Sequence, residues 1–320
     1  MSSDDEDVKS LLRVLTPKVQ GCKEQLNAQD VENALFGLKC MESDNDEVLS
    51  LLSALTPKVQ GCREQMSAEE VGIALYGLQG MSSDNVEVLS LLRALTPLVH
   101  GCREPLSAGG VGNALSGLQG MCSGQKEVRS LLRALTPKIK RCKEPLRAKI
   151  IGNAFSGLID MSSEHEEVRL LLRALTPLVQ GCREQMSAED VGNTLCGLLN
   201  MSSDHEEVRS LLRALTPQVE GCGEQLSAED VENALYGLQC MDSNHEEILS
   251  LLRALTPQVQ GCRERLSAEE AENALEGMQG MNRNHEDVRS LLRALSRKCT
   301  IPTNIEAEES LDTAANALLE

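Results

Sequence analysis

The sequence predicts an all-α protein, an α-solenoid of tandem 40-residue repeats with two helices in each repeat. A methionine returns at one phase of the period: Met1, Met41, Met81, Met121, Met161, Met201, Met241 and Met281. A Leu-Leu-x-x-Leu pattern shares that period and recurs from Leu11 to Leu295. Periods of this length are typical of stacked units, each of which covers the apolar face of its neighbour. Alternation of period two is absent, which argues against strands.

The first helix of a repeat is illustrated by the unit at residues 201–240. Ser203 precedes Glu206 by three residues, a spacing that predicts a reciprocal N-terminal cap. The apolar residues that follow have helical spacing: Val208, Leu211, Leu212, Leu215 and Val219. We therefore predict a helix over roughly 204–220.

The second helix of the same unit has a similar start signal. Ser227 precedes Asp230 by three residues, which predicts a cap with Asp in place of the usual Glu. Its apolar stripe again has helical spacing: Val231, Ala234, Leu235, Leu238 and Met241. This pattern predicts a helix over roughly 228–240.

Two recurring features modify these helices. A Thr-Pro pair lies inside the first helix, from Thr16-Pro17 to Thr256-Pro257. Proline removes a backbone donor and clashes with the preceding turn, so we expect either a kink or a stop and restart with Thr as cap. A glycine recurs in the second helix: Gly37, Gly77, Gly117, Gly157, Gly197, Gly237 and Gly277. Because glycine costs about 1 kcal/mol in a helix, we expect a close helix crossing there.

Composition narrows the function classes. The net charge of −18 argues against general affinity for nucleic acid or anionic membranes, and no apolar run reaches membrane-spanning length. Seven of the twelve cysteines share one phase: Cys22, Cys62, Cys102, Cys142, Cys182, Cys222 and Cys262. Packed helices lie about 8–10 Å apart, whereas the Cβ atoms of a disulfide lie about 3.5–4.5 Å apart. We therefore expect reduced thiols in an intracellular protein.

The repeat pattern predicts the domain organisation. We expect a single α-solenoid array of about seven and a half repeats over residues 1–298, and a degenerate C-terminal capping segment over 299–320. Ser310 to Leu319 are expected to form a capping helix in that segment. Because Met1-Ser2-Ser3-Asp4 matches the middle of a repeat, we expect a fragment or an internal start. The location is expected to be cytoplasmic, or an organelle if the N-terminus is truncated.

One position of the second helix points away from the apolar stripe and varies along the array. We call it the variable row: Phe36, Tyr76, Ser116, Ser156, Cys196, Tyr236 and Glu276. A constant frame with a variable outward residue is how helical arrays read a ligand one unit at a time. The alternative is drift at a solvated site. We take Phe36, Tyr76 and Tyr236 as partner-binding candidates.

A second set of candidates lies on the first helix. The arginine column comprises Arg13, Arg93, Arg133, Arg173, Arg213, Arg253 and Arg293. A second basic row lies one turn earlier: Lys9, Arg129, Arg169, Arg209 and Arg289. Stacked arginines can bind phosphates or carboxylates bidentately, so Arg93, Arg133, Arg173, Arg213 and Arg253 are partner-binding candidates. The alternative is a salt-bridged stripe, since Glu166, Arg169 and Arg173 are spaced to pair on one helix face.

The middle of the chain departs from the acidic pattern. A basic island comprises Lys138, Lys140, Arg141, Lys143, Arg147 and Lys149, of which the first four are partner-binding candidates. Gly109 and Gly110 weaken the start of one short helix, and Arg147 replaces the capping serine of the next. Residues 109–149 are therefore either a hinge or a binding site.

Two polar columns favour structural roles. The asparagines Asn33, Asn113, Asn153, Asn193, Asn233 and Asn273 share one phase and are expected to link adjacent repeats or to hold a loop, with ligand contact as the alternative. The histidines His165, His205, His245 and His285 are expected at helix starts. They lie a repeat apart, too far for one metal ion to join them. No GxxxxGK[ST], GxSxG or HExxH motif occurs, so we predict no catalytic, cofactor-binding or metal-binding residues and no small-molecule substrate.

The second helix also carries a family resemblance, in the run from Leu226 to Leu238, Leu-Ser-Ala-Glu-Asp-Val-Glu-Asn-Ala-Leu-Tyr-Gly-Leu. It resembles the octotricopeptide-type repeat and the helical repeats found beside RAP domains in organellar RNA-binding proteins. The likeness covers half of each repeat along most of the chain. It implies an α-solenoid and single-stranded RNA binding in an organelle, with the variable row and the arginine column as candidates for contacts to bases and phosphates.

These observations lead to a non-enzymatic helical-repeat scaffold that mediates protein–protein interaction. An extended or basic protein partner suits a long, mostly anionic surface, and no membrane partner is expected. The alternative function is binding of single-stranded RNA of the octotricopeptide type. A third alternative is an inert array without a ligand.

Overall fold

A computed structural model describes residues 5–39 and 41–299 of the chain. Within these residues it contains fifteen α-helices and no strand; a single isolated bridge joins Leu266 and Cys299. The long helices are α1 Glu6–Gly21, α3 Asp46–Gly61, α5 Val86–Gly101, α7 Lys126–Ile139, α9 Glu166–Gln180, α11 Glu206–Glu220, α13 Glu246–Gly261 and α15 Glu286–Ser296. The short helices are α2 Ala28–Phe36, α4 Ala68–Tyr76, α6 Ala108–Ser116, α8 Ala148–Ser156, α10 Ala188–Cys196, α12 Ala228–Tyr236 and α14 Ala268–Glu276.

The chain divides into two compact units, Met1–Arg183 and Glu184–Glu320. In the first unit each long helix packs on the next long helix, from α1 to α9, and each short helix packs on the next short helix, from α2 to α8. The second unit repeats this order with α11, α13 and α15 and with α10, α12 and α14. The prediction of an all-α, α-solenoid fold is confirmed.

The long helix begins two residues later than predicted. The α11 N-cap is His205, without a side-chain cap bond, so the prediction that Ser203 caps this helix is wrong. Ser203 is instead fully buried and accepts a hydrogen bond from the next repeat, as described below. The prediction that the histidines lie at helix starts is confirmed for all four residues.

The short helix begins as predicted and ends earlier. Ser227 and Asp230 form a capping box at the start of α12. The helix ends at Tyr236 rather than near 240, because the chain after Gly237 turns with bonds between residues three apart. One of these bonds joins the Leu238 N–H to the Leu235 carbonyl at 3.0 Å. The α8 helix has the same length as its equivalents although its N-cap, Arg147, makes no side-chain cap bond.

The long helices continue through their prolines. Pro217 lies inside α11, and the same holds for α1, α3, α5, α7, α9 and α13. The Thr216 hydroxyl donates to the Leu212 carbonyl at 2.8 Å. This bond is an additional one to the carbonyl four residues earlier in the turn before the proline; the carbonyl that loses its N–H donor to Pro217 is that of Arg213. Of the two alternatives predicted at Thr-Pro, a kink or a stop and restart, the stop and restart is therefore wrong.

The core consists of the predicted apolar stripes. Every member of the two stripes in the repeat at residues 201–240 is buried, with at most 2% of its surface exposed. Leu51, in the second long helix, is 4% exposed, whereas its equivalent Leu11 in the first long helix is 56% exposed. A side chain of this size contributes about 1.5–3 kcal/mol when it is fully buried. Because α1 covers the face of α3, burial in this fold comes from the neighbouring repeat.

Five of the recurring glycines lie in close contact with the preceding short helix: Gly77, Gly117, Gly157, Gly237 and Gly277. They are the C-cap residues just after these helices, not interior residues as predicted. A Cβ atom on Gly117 would lie 1.9 Å from the Leu75 carbonyl oxygen of the preceding repeat, and one on Gly237 would lie 1.9 Å from that of Leu195. No side chain fits this space. The predicted close crossing is therefore confirmed, one position beyond the helix end.

Three further expectations concern the C-terminal segment, the start of α6 and membrane-spanning helices. The predicted capping helix from Ser310 to Leu319 lies outside the described residues. Gly109 and Gly110 lie in the first turn of α6, which has normal bounds, and the Gly110 N–H donates to Ser107 at 3.1 Å. Among the described residues, no helix is long and apolar enough to cross a membrane.

Substitution of Gly117 by alanine is expected to lower the free energy of unfolding by at least about 3 kcal/mol, because the new methyl group overlaps the backbone of the preceding repeat. The matched control is Gly101→Ala, since a Cβ atom there meets nothing within 4 Å. We expect that change to be neutral or stabilising. Urea denaturation followed by circular dichroism measures both, and equal stabilities of the two variants would contradict the close approach.

Candidate functional site

The arginine column lies on the exposed face of the long helices and is ion-paired between repeats. The Arg93 guanidinium lies 2.7 Å from the Glu127 carboxylate of the next long helix. This bond holds the pKa of the Glu127 carboxyl below its usual value. Arg213 and Arg253 repeat the contact with Glu247 at 2.8 Å and with Asp287 at 3.1 Å. Arg133 pairs with Glu167 in the same way.

Several members of the column also pair within their own helix. Arg213 lies 3.0 Å from Glu206, seven residues earlier, and Arg293 lies 3.0 Å from Glu286. The predicted pairing along one helix face is thus present, together with the cross-repeat pairing that the sequence analysis missed. The guanidinium charges of these residues are largely compensated by carboxylates. Their side chains still remain about half exposed or more, 49% for Arg213 and 69% for Arg93.

Three members of the second basic row, Arg129, Arg169 and Arg209, bond the turn before their own helix. Arg209 donates to the carbonyl oxygens of Ser203 and Asp204 at 2.6 and 2.8 Å. Arg129 and Arg169 make the equivalent bonds in their repeats. These guanidinium groups therefore stabilise the loops that lead into the long helices.

The variable row runs along the short helices, and its first two members, Phe36 and Tyr76, lie side by side. Phe36 is 48% exposed, and its ring centroid lies 6.5 Å from that of Tyr76. The Lys39 ammonium lies 4.1 Å from the centroid of the Tyr76 ring, within cation–π distance. Tyr236 is partly exposed, whereas Ser116 is buried. The row is therefore accessible at its aromatic positions.

The short helices of the second unit carry one sign of charge. They contain no Lys or Arg, and their carboxylates outside the capping boxes form what we call the acidic face: Glu189, Glu229, Glu232, Glu269, Glu272 and Glu276. All six are exposed or partly exposed. Asn273 donates to Glu232 of the preceding repeat at 2.6 Å, which is the inter-repeat asparagine bond that we predicted. The acidic face lies on the same helices as Tyr236.

The first unit carries a basic edge that the sequence analysis missed. Directly after the repeated cysteines come the exposed residues Lys23, Arg63, Arg103, Lys143 and Arg183, which we call the basic turn edge. The glutamates that follow are engaged elsewhere: the carboxylates of Glu64 and Glu104 accept the backbone N–H groups of Ala28 and Ala68 at 3.4 and 3.1 Å. The recurring Cys-[Lys/Arg]-Glu triplet in the sequence could have revealed this edge.

The basic island joins this edge, with one exception. Lys140, Arg141 and Lys143 are exposed, and Arg141 donates to the carbonyl oxygen of Arg103 at 2.9 Å. Lys138 is 4% exposed and donates to the His100 carbonyl at 3.4 Å. Burial lowers the pKa of the Lys138 ammonium. Lys138 is therefore not part of the exposed surface of the island.

The repeated cysteines are free thiols beneath the same turns. Six of the seven are buried, and Cys22 is exposed. The Cys222 and Cys262 thiols donate to the carbonyls of Glu224 and Glu264 at 3.6 and 3.5 Å. Burial raises the pKa of both thiols, which keeps them protonated and unreactive near neutral pH.

Within each of the two units, successive repeats are also joined by a serine column: Ser43, Ser83, Ser123, Ser203 and Ser243. Each of these residues is buried. The Ser123 hydroxyl accepts the Ser162 N–H at 2.8 Å, and Ser203 accepts the Asp242 N–H at 2.8 Å. The sequence analysis assigned Ser203 to helix capping. Its actual partner, Asp242, lies 39 positions along the chain, and only the folded structure brings the two residues together.

Comparison with known proteins adds no family: no family model and no curated protein matches the chain. The resemblance to octotricopeptide-type and RAP-associated repeats stays a prediction based on the run from Leu226 to Leu238.

Replacement of Ser123 by alanine is expected to lower the free energy of unfolding by about 1–3 kcal/mol, because the Ser162 N–H loses its acceptor. The control is Ser130→Ala, on the partly exposed surface of α7, with an expected change within about 0.5 kcal/mol. Chemical denaturation compares the two. Equal losses would argue against a role of the serine column in joining repeats.

Proposed function

We propose that the protein is a non-enzymatic helical-repeat scaffold that binds an extended, basic segment of a protein partner. The observation that carries the proposal is the acidic face of the second unit, whose short helices hold carboxylates and no basic side chain. Rows of like charge attract an oppositely charged chain and set both the rate and the salt dependence of association.

The repeat spacing supports an extended ligand. Packed helices lie about 8–10 Å apart, and an extended chain rises about 3.2–3.4 Å per residue. Every third residue of such a segment can therefore meet the same position of the next short helix. Tyr236 offers an aromatic surface on this path, and the amide of Asn233 can bond a peptide backbone. This arrangement favours a segment with a basic residue at every third position.

Single-stranded RNA is the second candidate, and a different surface supports it. The basic turn edge and the exposed part of the basic island place cationic side chains in successive repeats of the first unit. The arginine column gives RNA weaker support, because its members are paired with carboxylates. The net charge of −18 also favours the protein partner.

The proposed location is the cytoplasm. The support is chemical: the described cysteines are free thiols, and disulfides are rare in the reducing environment of that compartment. An organelle is the alternative that goes with the RNA function.

The test is fluorescence anisotropy with a labelled peptide of repeated Lys-Ser-Ser triplets. We expect binding that weakens with added salt, because the attraction is electrostatic. The variant Glu229→Gln, Glu232→Gln, Glu269→Gln, Glu272→Gln should weaken this binding at least about tenfold. The matched control neutralises four exposed carboxylates elsewhere: Asp44→Asn, Asp46→Asn, Asp84→Asn and Glu164→Gln.

An equal loss in both quadruple variants would contradict the proposal, because it would reflect net charge alone. The same anisotropy measurement with a labelled single-stranded oligouridine tests the second candidate, RNA. Tighter binding of that RNA than of the peptide, lost on changing Arg63 and Arg103 to Glu, would replace the protein partner by RNA.

A further inference from the structure

Three potential metal ligands from successive repeats of the second unit lie close together. Asp204 comes from the loop before α11, and Asp242 and His245 come from the loop before α13. One ligand atom of each side chain lies within 4.8 Å of the other two. His245 Nε2 lies 3.5 Å from Asp204 Oδ1. Sequence spacing conceals this cluster, because its members come from different phases of two repeats.

Local hydrogen bonds orient the cluster. The Asp242 carboxylate accepts the Asn244 N–H at 2.9 Å and the Asn244 side-chain amide at 3.2 Å. The Asp242 N–H in turn donates to the buried Ser203 hydroxyl. His245 is the N-cap residue of α13, and its side chain makes no cap hydrogen bond with that helix. Asp204, whose side chain is 77% exposed, is the member that can rotate towards an ion.

We propose that Asp204, Asp242 and His245 bind one Zn²⁺ ion. Two carboxylates and an imidazole are common zinc ligands, and water completes a tetrahedral site. Ligand distances of about 2.0–2.2 Å require the three ligand atoms to approach one another slightly, which rotation of Asp204 provides. Without an ion, the two carboxylates repel each other, and a divalent cation removes this repulsion.

The neighbouring repeat provides an internal comparison. The positions that correspond to Asp204, Asp242 and His245 are occupied there by Asn244, Asn282 and His285. Neutral amides replace both carboxylates, so this second constellation lacks the charge that attracts a divalent cation. The zinc site is therefore specific to one pair of repeats. An ion bound there joins the loops before α11 and α13 and stabilises their packing.

The test uses the full-length, tag-free protein, stripped of metal with a chelator. We expect isothermal titration to find one zinc ion that is lost or bound at least about tenfold more weakly in His245→Asn and Asp242→Asn. The matched control, His285→Asn, should bind zinc like the parent protein. Circular dichroism checks that each variant remains folded.

A second readout distinguishes this site from the cysteines. Co²⁺ bound in place of zinc should show d–d absorption without a sulfur-to-metal charge-transfer band, because the ligands are oxygen and nitrogen. Unchanged zinc binding in His245→Asn, equal loss in His285→Asn, or a thiolate spectrum in the parent protein would overturn the proposal.

Discussion

The close contact between the glycine after a short helix and the leucine carbonyl of the preceding repeat is the constraint on which the rest of the structure depends; it is present at Gly77, Gly117, Gly157, Gly237 and Gly277. At Gly157 a Cβ atom would lie 1.9 Å from the Leu115 oxygen. Short helices that approach this closely also bring the serine column and the turn glutamates within hydrogen-bond distance of the next backbone. The leucine stripes are then buried by the neighbouring repeat, which explains why Leu11 is exposed and Leu51 is not.

A fixed repeat-to-repeat register places equivalent side chains in columns, so small sequence differences between repeats become extended surface features. The arginine column is neutralised because the same register brings a carboxylate beside nearly every guanidinium group. The acidic face and the basic turn edge are not neutralised in this way. The short helices of the acidic face carry no basic side chain. The glutamates beside the basic turn edge bind backbone N–H groups instead of the neighbouring Lys and Arg side chains. Partner preference in this fold is therefore a property of columns rather than of single residues.

The sequence allowed prediction of what depends on local spacing and failed where distant segments meet. The apolar stripes and the Ser227 capping box follow from spacings of three and four residues, and both were predicted correctly. Ser203 and Lys138 were misjudged because their hydrogen-bond partners lie in neighbouring repeats. The candidate arginines were found, but their cross-repeat carboxylates lie 34 residues away, beyond any helical periodicity.

Deletion of whole or partial repeats tests the central claim that stability comes from stacking in register. Removal of residues 206–245 joins His205 to Glu246, an equivalent junction, and should preserve helical content per residue and one cooperative unfolding transition. Removal of residues 206–225, half a period, should abolish that transition in the second unit. Circular dichroism melts measure both proteins. The account would be contradicted if the half-period deletion kept the cooperative transition of the second unit, or if the full-period deletion lost its helical content or its transition.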